Sequence, residues 1–233
     1  MTVEEQRADR GPGEGIGPLA LPVPIRHEHV LAYLGYPVDH RPPERIERRI
    51  RPLLEQAREL VEARGAYRHL AVEAAREVGL EPMTAGGLVI GLVTAGPKIE
   101  RRVAEQLAAG AATDGLLLDA MGSVAAEEAA DLLGIRIVGG VGTDDAHAPP
   151  LSCRISPGYG RWPLTAQNAL FTRLPHRKLG VELLPSLLMV PRKSISFAMW
   201  LGADARPIAG LSGCERCNLE RCRYRPAREG PRG

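Results

Sequence analysis

The sequence predicts an α+β fold, a single domain with an antiparallel or mixed β-sheet. Two observations carry this. Strand-like and helix-like segments are mixed without a strict βαβ rhythm. The stretch GLVIGLVT, residues 87–94, is almost continuously apolar, as a central strand is. With 233 residues, 44% of them hydrophobic, the chain can bury a sizeable core. Because only 4% are aromatic, that core is built mostly from Leu, Val, Ile and Ala.

Residues 1–19 are polar and rich in Gly and Pro and read as a disordered leader. The domain is expected over 20–210, with an N-terminal helical part at 28–65, followed by a cysteine-containing tail at 211–233. LALPVPIR reads as a short strand, and EHVLAYLG, residues 28–35, as a short helix closed by Gly35. Residues 42–64 place Ile46, Ile50, Leu53, Leu54, Ala57, Leu60 and Val61 on one apolar stripe, so they form a helix that Gly65 ends. Pro52 inside it predicts a kink or a junction of two helices. Strands follow at 67–75 and 87–94. Pro97 then sits in the first turn of a helix, where its missing N–H costs nothing. A second helix is expected at about 113–133 with Gly134 beyond it, then a strand or turn-rich loop through IRIVGGVGTDDAHAPP. LSCRIS reads as a strand, LTAQNALFTRL as a helix, and GVELL, LLMVP and SISFAMWL as closing strands.

Several function classes are excluded early. A net charge of +2 is far below that of a typical nucleic-acid binder. No stretch approaches the roughly 20 apolar residues of a membrane-spanning helix. The polar, partly acidic start lacks the pattern of a signal peptide. A cytoplasmic protein is expected, in which the four cysteines are thiols or metal ligands before they are disulfides.

Three constellations could carry chemistry. The first is RISPGYG, residues 154–160. On a strand Arg154 and Ser156 share one face, with Cys153 and Ile155 on the other. Pro157-Gly158 suits the centre of a type II turn, which needs positive φ at its second residue. Arg154 could grip a ligand carboxylate and Tyr159 could cover the ligand; equally, this is an ordinary hairpin corner. The second is the helix at 116–134, where Glu127 shares a face with Ala120, Ser123 and Ala130, either as a wall of a cleft or as a solvated side chain. The third is Cys214-x-x-Cys217 with Cys222, three thiolates spaced for zinc or an iron–sulfur cluster, or for redox chemistry. TDDAHAPP is not the Asp-x-His-x-x-Gly pattern of a cobalamin ligand, because Pro150 stands in the glycine position.

DAMGSVAAEEAAD, RISPGYGRWPLTAQNALFTRL, LLMVPRKSIS and CERCNLERCRYR together resemble the activation domain of cobalamin-dependent methionine synthase, in its free-standing form. The resemblance covers about 90–225 and is densest over 151–197. It implies a strongly twisted, mainly antiparallel sheet with packed helices. It implies binding of S-adenosylmethionine and reactivation, by reductive methylation in trans, of a cobalamin carried by a partner. That partner would be methionine synthase or another corrinoid protein, with a flavodoxin- or ferredoxin-like electron donor. By the same resemblance Arg154 holds the ligand, Ser156 and Gly158 contact it through backbone groups, and Glu127 binds its polar edge. The motif tyrosine, Tyr159, falls close to where methyl meets cobalt. The likeness departs at Leu184-Pro185-Ser186, where the family carries an acidic residue, and after Trp200, where a further tyrosine is missing.

Overall fold

The computed structural model describes residues 15–36, 41–81, 87–140, 154–159 and 162–201. Its centre is a four-stranded sheet in the order β1 (Gly15–Ala20), β2 (Arg64–Leu70), β3 (Gly87–Thr94), β6 (Ser194–Leu201), every neighbouring pair antiparallel. β4 (Glu182–Leu183) and β5 (Met189–Val190) form a separate small hairpin. The helices are α1 (His27–Tyr33), α2 (Glu44–Leu60), α3 (Lys98–Ala108), α4 (Ala112–Gly140) and α5 (Gln167–Arg173). The mixed, antiparallel α+β single domain is the one expected.

β3 is buried along its whole length, and strand alternation divides its side chains between two cores. Leu88, Ile90 and Leu92 join Ala198, Trp200, Leu170 and Phe171 on one face. Val89 and Val93 join Phe197, Met199 and the Ala129, Ala130 and Leu133 stretch of α4 on the other. A third core lies where α1, α2 and α3 pack on the first half of α4. The long helix α4 is therefore apolar on several sides, because it is covered by the sheet and by other helices.

Several boundaries differ from expectation. The leader was expected through residue 19, yet β1 begins at Gly15 and pairs with β2. The strand expected at 67–75 is β2 only as far as Leu70. Val72, Ala75 and Val78 then recur every third residue and form a 3₁₀ segment whose Ala75 and Val78 are fully buried. Gly65 belongs to β2 and does not cap α2, which ends at Leu60. Pro52 interrupts nothing: α2 is one continuous helix, and Pro52 is exposed, so the carbonyl it leaves unbonded lies at the wet side. α4 continues past Gly134, because one further turn buries Ile137 beside Leu133. Of LSCRIS only Arg154–Ser156 is described, and Ile155 bridges Ala198 antiparallel at the free side of β6. Residues 1–14, TDDAHAPP, Cys153 and the tail with Cys214, Cys217 and Cys222 lie outside the described residues. Among those described, no helix is long and apolar enough to cross a membrane.

Candidate functional site

The RISPGYG corner begins where Ile155 exchanges two hydrogen bonds with Ala198, its N–H donating at 3.0 Å and its carbonyl accepting at 2.8 Å. That pairing fixes which way the neighbours face. Ile155 packs on the core that contains Trp200, and Arg154 goes to the opposite face, against α4. The chain then turns. The Tyr159 N–H donates to the Ser156 carbonyl at 3.2 Å, around a buried Pro157 and a Gly158 with φ +91. This is the type II arrangement expected from Pro-Gly, and it needs glycine at that position. The Gly158 N–H donates to the Trp162 carbonyl at 2.8 Å, closing the loop on itself. Trp162 is anchored in turn, its indole N–H donating to the Val78 carbonyl at 2.8 Å.

Arg154 and Glu127, 27 positions apart in sequence, meet here. Arg154 Nη2 donates to Glu127 Oε2 at 2.8 Å and lies 3.2 Å from Asp131 Oδ1. The guanidinium carbon also sits 5.8 Å from the centre of the Phe197 ring, a cation–π distance. Its other terminal nitrogen, Nη1, is buried and has no hydrogen-bond partner among the described residues. Burial pushes the Asp131 carboxyl above its usual range; Arg154 opposes the rise and the Glu127 charge adds to it. Tyr159 is 56% exposed.

Phe197 owes its place to Gly91, its register partner across β3 and β6. A Cβ on Gly91 would lie 2.3 Å from Phe197 Cζ, so only glycine leaves room for the ring under Arg154. Four elements thus set the corner: β3 by a missing side chain, β6 by an aromatic ring, α4 by two carboxylates, and the 154–159 segment by its turn.

Of the residues expected at the site, Arg154 and Glu127 are in contact, and Ser156, Gly158 and Tyr159 form the adjoining turn; Asp131 and Phe197, which also meet Arg154, were not among those expected. The signal for Asp131 was present, since it follows Glu127 by four residues and so lies on the same side of α4. Glu128, the next carboxylate along, is turned away. It is buried and accepts the Ile25 N–H at 2.8 Å, the Arg26 N–H at 3.1 Å and His29 Nδ1 at 2.7 Å. Pro185 lies exposed in the turn of the β4–β5 hairpin, where the Leu187 N–H donates to the Leu184 carbonyl. Among the described residues no group of three or more His, Cys, Asp or Glu side chains is arranged to hold a metal ion. An open surface groove of about 430 Å³ lies at His27, Glu47, Arg51, Pro52, Leu54 and Glu55, and none of the expected site residues lines it.

The fold is similar to that of the MetH reactivation domain. A crystal structure of that domain bound to AdoHcy matches with a TM-score of 0.59, covering 88% of this chain and 87% of that one. Identity between the two is 15%, so the likeness establishes the architecture. No family model matches the sequence, and no curated protein does. The α+β expectation drawn from the residues, and the fold implied by the resemblance to the methionine synthase activation domain, agree with this match.

Proposed function

We propose that this chain binds S-adenosylmethionine at the Arg154 corner and reactivates a cobalamin-dependent methyltransferase of the methionine synthase type, acting in trans. The observation that carries the reading is the meeting of Arg154 with Glu127 beside a Pro-Gly turn, on a fold shared with a domain solved with AdoHcy.

The residues suit the ligand. Arg154 Nη1 is a buried donor awaiting an acceptor, and a carboxylate is the acceptor a guanidinium fits best. Glu127 accepts from the ligand's ammonium or hydroxyl groups. The turn spends the Ser156 carbonyl and the Gly158 N–H on itself. Ligand contacts at these two residues therefore fall to the Ser156 N–H and the Gly158 carbonyl. Tyr159, largely exposed, stands at the outer edge, where it would meet both ligand and partner. S-Adenosylmethionine supplies an electrophilic methyl group. No side chain of this protein needs to move a proton, so its contribution is positioning and exclusion of water.

The test is a calorimetric titration of the pure full-length protein. Binding of S-adenosylmethionine is expected, with Arg154→Ala abolishing it. An intact protein that takes up no ligand contradicts the reading.

A second role is proposed for the tail, on its C-x2-C-x4-C spacing. Cys214, Cys217 and Cys222 would hold zinc or an iron–sulfur cluster, the latter serving electron transfer from a flavodoxin- or ferredoxin-like donor. Metal analysis and the visible spectrum of anaerobically purified protein decide it. Metal-free protein without a chromophore rules out both the zinc ion and the cluster.

A further inference from the structure

Arg154 stands between two carboxylates. Glu127 Oε2 and Asp131 Oδ1 lie 2.8 and 3.2 Å from the same nitrogen. All three side chains are largely covered, at 19% exposure for Arg154, 33% for Glu127 and 30% for Asp131. One guanidinium beside two ionised carboxylates leaves one negative charge in excess. Glu128 is engaged by Arg26, His29 and two backbone amides at the start of α1, and its charge acts on Asp131 more weakly than those of Arg154, Glu127 and His29.

We propose that Asp131 sets the charge preference of the site, favouring S-adenosylmethionine over the demethylated product S-adenosylhomocysteine. This rests on the binding reading above. S-Adenosylmethionine carries an ammonium, a sulfonium and a carboxylate, one positive charge in excess, which the corner's excess negative charge neutralises. When the methyl group passes to the nucleophile on the partner, the S–CH₃ bond breaks and its electron pair stays on sulfur. The sulfonium becomes an uncharged thioether. The product is then neutral overall, and the second carboxylate is left without a counter-charge.

The surroundings of Asp131 make this imbalance felt. Its facing charges are Arg154, Glu127, His29 and Glu128, and burial dominates over all of them. A ligand carboxylate that engages Arg154 Nη1 shares the cation that now steadies Asp131 through Nη2. The ligand's own cations supplement it, and the product has one fewer to offer. Asp131 thus promotes product release after each methyl transfer, acting as a specificity-determining residue.

The experiment measures the affinity of the full-length protein for both compounds, in the wild type, Asp131→Asn and Asp131→Glu. The wild type is expected to prefer S-adenosylmethionine. Asp131→Asn should lower that preference about tenfold, the scale of one charge interacting in a partly buried site, by weakening S-adenosylmethionine and tightening S-adenosylhomocysteine. Asp131→Glu should keep the preference. An Asp131→Asn variant that weakens both compounds equally overturns the inference and leaves the binding reading standing. If Asp131→Asn binds neither, the Asp131→Glu ratio decides: a wild-type preference supports the inference and a lost one overturns it. A wild type that binds neither compound defeats the binding reading and this inference together.

Discussion

Arg154 is held by three attractions at once, two carboxylates on α4 and the face of Phe197 on β6. Gly91 is the residue on which this arrangement turns. A methyl group there would meet the Phe197 ring at 2.3 Å, and the ring has Arg154 on one side and the core on the other. Gly91→Ala is therefore expected to cost about 1–3 kcal/mol as an overpacked core, lowering Tm by several degrees. It should also weaken ligand binding, because the displaced ring moves the guanidinium. Thermal melts and titrations of the same variant check both effects. Asp131 is expected to show the opposite behaviour in stability. Its carboxyl is held above the unfolded value by burial. Such an acid contributes stability when protonated and loses it as pH rises through the folded value. Asp131→Asn should thus melt no lower than the wild type at pH 7, with any gain shrinking as pH falls through the carboxylate range. A variant clearly less stable at pH 7 would show that the pairing with Arg154 outweighs the burial cost.

α4 is the element that organises the molecule, because successive residues serve different neighbours. Glu127 and Asp131 face the Arg154 corner, while Glu128 closes the start of α1. The Glu128 contact holds an unusual backbone: Ile25, fully buried, has φ +46, a region that β-branched residues avoid. The carboxylate accepts its N–H at 2.8 Å and steadies that conformation. Glu128→Ala would strand a buried N–H and the Arg26 and His29 groups, at a cost of about 3 kcal/mol. A lower denaturant midpoint with an unchanged slope is the expected result. A midpoint equal to the wild type's would mean that water replaces the carboxylate. The boundaries of β3 were legible from its apolar run, and the start of α3 near Pro97, although Pro97 is its N-cap and lies just ahead of its first turn. The end of α4 was not, because Gly134 resembles a stop signal and only the burial of Ile137 shows why the helix continues. In the same way, the residue types of RISPGYG suggested a corner with an arginine, whereas its carboxylate partners depended on how α4 crosses the sheet.

At the scale of the whole molecule, the sheet and α4 act as a frame that leaves the 154–159 turn at the surface. Tyr159 at 56% exposure and Leu164 at 43% are exposed groups at that turn. The proposed delivery of a methyl group to a partner-borne cobalamin would need a ligand held at such an edge, bound deeply at one end and accessible at the other. The buried Nη1 of Arg154 and the exposed Tyr159 have that relation. The measurement that tests the account most directly is a crystal structure of the full-length protein with S-adenosylmethionine. Ligand density is expected beside the turn, with its carboxylate on Arg154 and backbone contacts to the Ser156 N–H and the Gly158 carbonyl. Density elsewhere, or a ligand whose carboxylate makes no contact with Arg154, would contradict it.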